Sequence, residues 1–149
     1  MKKLARIAML AVVAFGGLLT ACSTEDPHIV CGREWNPAMQ LVADTTSEFE
    51  LINPMIVQFR YGTGFDFPTL KITFYEGTEK AKGKEIWHYE TKVNEKVSVY
   101  TLQGHSKRGG LMTASELTRH HTPGQVVIEA TTGDRLLAVK ELTLIKNKQ

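Results

Sequence analysis

The amino-acid sequence predicts an all-β fold, a two-sheet antiparallel β-sandwich with one short helical turn near residues 113–118. Three observations predict it. From Met39 onward apolar and polar residues alternate over short segments, the period of a strand with one buried face. Gly, Pro, Asn and Asp divide those segments at short intervals, as turns require. No long stretch keeps the helical period, and no segment repeats.

The elements follow in order. Glu48 and Glu50 read as one polar strand face. Over residues 55–61, Val57, Phe59 and Tyr61 share a face while Gln58 and Arg60 point away. Leu70, Ile72 and Phe74 repeat the pattern, with Asn53-Pro54 and the run 62–68 as breaks. Lys80, Lys82 and Lys84, set among Glu79 and Glu85, read as a solvated hairpin loop. Residues 85–91 put Trp87 and Tyr89 on one face and Ile86 and His88 on the other, so both faces are partly covered. Residues 96–102 set Val97 and Val99 against Ser98 and Tyr100.

Thr113-Ala114-Ser115-Glu116 fits a capping box for one helical turn, and Thr122-Pro123-Gly124 ends it and launches a strand. Val126, Ile128 and Ala130 then align inward, and Gly133-Asp134 makes a hairpin into a last strand over 136–146. In that strand Leu137 and Val139 are odd-numbered while Leu142 and Leu144 are even, which predicts a β-bulge near Lys140-Glu141. Seven or eight strands over roughly 110 residues suit a sandwich. The stretch from Leu117 through Pro123-Gly124 to the closing strand resembles the final hairpin of an immunoglobulin-like domain. The resemblance covers about 30 residues. It implies a bacterial immunoglobulin-like or related sandwich, without the cysteine pair of that family and with Val126 where its tyrosine corner has Tyr.

The N-terminus carries a different message. Lys2, Lys3 and Arg6 precede an apolar block over 7–19 and then Leu19-Thr20-Ala21-Cys22, the order of a secretory signal. The apolar block is short for a permanent membrane span. The tetrad resembles the lipobox of bacterial lipoproteins. That resemblance implies diacylglycerol on the Cys22 sulfur, cleavage before Cys22, and acylation of the freed amine with a fatty acid such as palmitate. The membrane would then hold the protein through lipid on Cys22, since stable anchoring needs about two chains. Ser23, where the enterobacterial sorting pattern has Asp for inner-membrane retention, favours the outer membrane. Thr24, Glu25 and Asp26 loosely resemble the surface-export tag of some Bacteroidetes lipoproteins. The expected organisation is a lipoprotein signal peptide at 1–21, a tether at 22–38 punctuated by Pro27, Gly32 and Pro37, and one sandwich domain at 39–149.

Removing the signal alters the charge balance. The whole chain has 18 basic and 16 acidic residues, a net +2. Without Lys2, Lys3 and Arg6, 15 basic residues face 16 acidic ones and the net becomes −1. A near-neutral surface gives no general electrostatic case for nucleic acid or anionic lipid as partner.

The two cysteines are linked by the same logic. If lipid occupies Cys22, Cys31 has no partner within the chain. It is then a free or sequestered thiol, or it forms an intermolecular disulfide. Without lipidation, Cys22 and Cys31 could close a small loop.

Motifs of chemistry are sparse. His120 and His121 adjoin each other with His105 upstream, but HxH, HExxH and paired CxxC spacings are absent, so the reading is no metal site. Neither a G-x-S-x-G elbow nor a phosphate-cradling loop is present, and Gly109-Gly110 reads as an exposed turn. The expectation is no enzymatic activity and no cofactor. The loop Gly62-Thr63-Gly64-Phe65-Asp66-Phe67-Pro68 is the candidate partner-binding loop, with Phe65 and Phe67 as apolar anchors or as an inward plug. Trp35 has the same two readings, tether packing or interface. The leading functional expectation is a non-enzymatic, lipid-anchored envelope protein that binds a protein partner or supports an assembly. The alternatives are an envelope-anchored inhibitor of a hydrolase such as lysozyme, and a metal-binding protein or enzyme using His120 and His121.

Overall fold

The computed structural model describes residues 26–149. The signal segment 1–21 and the tetrad ending at Cys22 lie outside the described residues. The strands are β1 His28–Asn36, β2 Leu41–Thr45, β3 Glu48–Glu50, β4 Ile56–Arg60, β5 Thr69–Gly77, β6 Lys82–Lys92, β7 Val99–Leu102, β8 Gly124–Thr132 and β9 Arg135–Ile145, with one helix, α1 Ala114–Thr118, before β8. They form two sheets, ordered β2-β1-β4-β7 and β3-β9-β8-β5-β6. The all-β sandwich with a helical turn near 113–118 is therefore the architecture of the described residues. One pair departs from the antiparallel expectation: β3 runs parallel to β9, from Glu48↔Thr143 to Glu50↔Ile145.

The core lies between the facing sheets. β4 contributes Val57 and Phe59, β5 Leu70, Ile72 and Phe74, β8 Val126, Ile128 and Ala130, and β9 Leu142 and Leu144. These are the alternating positions that the sequence places inward, and each is at most 1% exposed. The pleat sends every second side chain to one face, so one register per strand buries the whole set. Gln58 lies between core positions yet is fully buried; its Nε2 donates to the Gln40 carbonyl at 3.1 Å and to Thr101 Oγ1 at 3.0 Å. A buried amide so paired avoids the cost of an unmet donor.

The expected tether at 22–38 is corrected from His28 onward. Residues 28–36 form β1, which lies between β2 and β4 and pairs with β4 from His28↔Arg60 to Gly32↔Ile56. Ile29 and Cys31 are 5% and 2% exposed, and burying them adds apolar area to the core that a solvated tether would forgo. Gly32 is there for space, since a Cβ at that position would run into the Ala43 carbonyl and the Val42 side chain.

The bulge in the last strand also moves. Pairing runs without interruption through Ile128↔Lys140 and Val127↔Glu141, and the register shifts between Ala130↔Ala138 and Thr131↔Leu136. The extra residue is Leu137, which packs against the core together with Ala138. Val139 pairs with Glu129 on the outward face, and Lys140 takes the inward position opposite Ile128. At the margin of the sandwich that position tolerates a long side chain, whose methylenes cover apolar surface while the ammonium reaches water.

The helix forms for local reasons. Thr113 accepts from the Glu116 amide, and Glu116 Oε2 accepts from the Thr113 amide at 2.9 Å, the reciprocal arrangement of a capping box. That backbone hydrogen bond, followed by one from Ser106, holds the Glu116 carboxyl below its usual range. No described helix is long and apolar enough to cross a membrane.

Two substitutions test this packing. Phe59→Ala should cost about 3–5 kcal/mol in urea unfolding, as for other large core truncations. Gly32→Ala should cost about 1–3 kcal/mol, as overpacking does. A wild-type midpoint for Gly32→Ala would mean that β1 and β2 do not approach as described.

Candidate functional site

Strand directions sort the loops into two ends. β4 runs toward 61–68, β6 toward 93–98, and β8 turns into β9 at Gly133-Asp134. These three connections share one end of the sandwich, here called the tip. β1 begins there too, because His28 pairs with Arg60. The β1–β2 and β5–β6 turns, α1 and residues 119–123 lie at the opposite, distal end.

At the tip, Phe65 and Phe67 point inward, 1% and 8% exposed. Phe65 stacks on Phe59 with ring centroids 5.9 Å apart, and Phe67 meets Tyr61 edge-on at 5.1 Å. Of the two readings of the loop, the inward plug is the one found, and Phe65 and Phe67 are not exposed anchors. Each ring gains more from the core than from water, and aromatic pairs add to the burial. Gly64 permits the fold of the loop: its φ is +119°, and a Cβ would strike the Glu95 carbonyl. The backbone ties the loop to 93–97, with the Phe65 amide donating to the Val97 carbonyl at 2.9 Å.

The polar surface over this plug is a three-residue cluster. Tyr61 OH donates to Asp66 Oδ1 at 2.8 Å, and Arg135 Nη2 reaches both the Tyr61 oxygen and Asp66 Oδ1 at 3.2 Å. The Arg135 guanidinium also sits 5.6 Å from the Phe67 ring centroid. The hydrogen bond to Asp66 raises the Tyr61 phenol, and the same bond, with help from Arg135, lowers the Asp66 carboxyl. Phenol and carboxylate are both held away from neutral pH, so the cluster offers a fixed charge pattern rather than a proton donor or acceptor.

A second surface lies on the edge strand β6, and the sequence reading gave Trp87 only a strand face. Trp87 pairs with Phe74, so it points to the inner side of its sheet, yet it is 46% exposed. Over this part of β6 the covering element is the end of α1: Tyr89 OH donates to the Leu117 carbonyl at 2.9 Å. Beyond it Arg119 caps the helix with φ +59°, and its guanidinium lies 5.5 Å from the Trp87 ring centroid. A non-glycine residue in that region costs on the order of 1 kcal/mol. Here it brings a cation onto an exposed indole, a pairing enriched at protein interfaces. His88 stacks beside Trp87 at 6.3 Å and approaches Glu85 Oε1 at 2.7 Å through Nδ1. The alternation placed Trp87 on a strand face with Tyr89, and Arg119, distant in sequence, carried no signal of the contact.

The remaining candidates separate. Trp35 is half-buried within the β1–β2 ladder opposite Val42, so it belongs to the sandwich rather than to a tether. His120 is half-buried, with Nδ1 4.0 Å from Glu76 and Nε2 3.3 Å from Thr122 Oγ1. His121 turns toward a hollow lined by Ser115 and Glu116. Among the described residues no three His, Cys, Asp or Glu side chains gather as a metal site would require.

Of the readings open for Cys31, the structure shows the sequestered thiol and not a sulfur presented for an intermolecular disulfide. Its side chain faces the core, and burial pushes its pKa from the usual 9.0 up to about 12, with Lys140 pulling weakly the other way. A neutral, enclosed thiol neither attacks a disulfide nor presents a sulfur to one.

No protein-family model and no curated protein matches this chain. Among solved structures it is similar to a β-glucosidase from Erythrobacter marinus at 14% identity and a TM-score of 0.35, over 67% of this chain. The chain spans only 14% of that enzyme, and a likeness this slight carries no argument about activity.

Two measurements follow for Cys31. The native protein should resist a thiol reagent that labels it fully in denaturant; equal rates would contradict the burial. The folded-state pKa lies above the unfolded one, so the contribution to stability is complete below about pH 9 and is lost as pH rises toward 12. Urea midpoints of wild type should therefore fall more steeply over that range than those of Cys31→Ala.

Proposed function

We propose that this chain is a lipid-anchored cell-envelope lipoprotein whose sandwich is a non-enzymatic binding or assembly module. The anchor rests on the tetrad Leu19-Thr20-Ala21-Cys22 behind a basic and then apolar N-terminus. Ser23 favours the outer membrane. The partner is a protein, and the observation that carries this part is the exposed Trp87 ring under the Arg119 guanidinium. Such a surface suits recognition: indole and guanidinium offer a large apolar area, fixed donors and little loss of side-chain freedom on binding. Among the described residues, the strand that presents it has one edge without a neighbour in its sheet. Its lysines, Lys82, Lys84 and Lys92, discourage indiscriminate strand pairing. A partner would therefore be selected through side chains rather than through the bare edge.

Fractionation of producing cells tests the anchor: wild type should sediment with envelopes and Cys22→Ser should be released. Wild type in the soluble fraction would contradict it. For the module, crosslinking in intact cells should join the wild type to a defined protein. Trp87→Ala should weaken that capture by about 2 kcal/mol, or roughly 30-fold, the loss expected of an interface anchor. Undiminished capture by Trp87→Ala would remove this surface from the proposal.

A further inference from the structure

We infer that the tip of the sandwich rests on the lipid surface that holds Cys22, with the distal end and α1 pointing away from the bilayer. The inference rests on the lipid-anchor reading and adds an orientation to it. It comes from where the chain enters the fold. Cys22 precedes His28 by six positions, and His28 opens β1 at the tip, paired with Arg60. Six residues, fully extended, span about 20 Å. The nine residues of β1 alone run about 30 Å from tip to distal end. The leash is shorter than the domain, so the domain cannot stand inverted with its distal end on the membrane.

Two further observations favour the tip over a flank. The outward face of the five-stranded sheet carries Lys71, Lys82, Glu85, Glu90, Glu129 and Glu141, charges that would lose water against lipid. At the tip Arg135 is paired to Asp66, and Lys96 lies next to Glu95 in sequence. Val97 in the 93–98 connection and Leu136 at the start of β9 lie at this end, 42% and 54% exposed. Met39 and Ile52 at the distal end are no less exposed, 66% and 57%, so apolar area alone does not choose between the ends. The anchor chooses. Held within about 20 Å of the bilayer, even two apolar side chains meet a high local concentration of lipid and act as a second attachment.

The full chain, produced in a lipidating bacterium and reconstituted into phosphatidylcholine vesicles, allows a direct test. A fluorophore is placed at Val97→Cys, Leu136→Cys, Met39→Cys or Ile52→Cys, one at a time; Cys31 is enclosed and stays unlabelled. Vesicles with a headgroup spin label should quench most of the emission at 97 and 136 and leave 39 and 52 unchanged. Intact mass on the same samples reports the lipid. Lipidated protein with equal quenching at both ends means a domain lying on its side, and overturns the orientation while the anchor stands. Lipidated protein without quenching at the tip overturns the orientation in the same way. Protein without lipid overturns the anchor and the orientation together.

Discussion

Strand β1 is gripped on both edges, by β2 and by β4, and its antiparallel register with β4 fixes three things at once. It puts Ile29 and Cys31 into the core, it seats Gly32 where β2 passes closest, and it makes the chain enter the domain at the tip. A slip of one residue would turn Ile29 and Cys31 outward and bring Val30 and a polar neighbour inward. The cost of that slip is what fixes the point at which the chain enters the domain.

The two ends of the sandwich are closed by different means. At the tip, Phe65 and Phe67 from a loop complete the stack begun by Phe59 and Tyr61, and the polar cluster of Tyr61, Asp66 and Arg135 seals the outside. At the distal end a five-residue helix does the closing, with Ala114, Leu117 and Thr118 buried. Thr118 Oγ1 donates to the Ala114 carbonyl at 2.7 Å, so even its hydroxyl is satisfied. The helix end also carries Arg119 to Trp87. Closure and the candidate partner surface are therefore one piece of structure.

Much of this was legible because strand periodicity is local. Val57 and Phe59, Leu70 to Phe74, and Val126 to Ala130 each announce their face within five residues, and the capping box needs only four. The capping box itself is a purely local exchange of hydrogen bonds. β1 was hidden because its alternation lasts only from Ile29 to Cys31, between two prolines and across a glycine; what makes it a strand is β4, more than twenty residues on. The parity change in β9 rightly signalled a bulge. It misplaced it because a lysine at position 140 reads as outward, whereas the sandwich margin accepts it opposite Ile128. For the candidate site, the aromatic loop was visible and its inward turn was one of two open outcomes. The Trp87–Arg119 contact joins an edge strand to a helix cap and has no local pattern at all.

The claim on which the rest depends is that residues 28–36 are a strand of the sandwich rather than a leash outside it. Amide hydrogen exchange on the intact protein tests it most directly. The account predicts slow exchange for the β1 amides that face β2 and β4, comparable to those of β4 itself. Exchange at the rate of an unstructured segment over 28–36, with β4 protected, would contradict it.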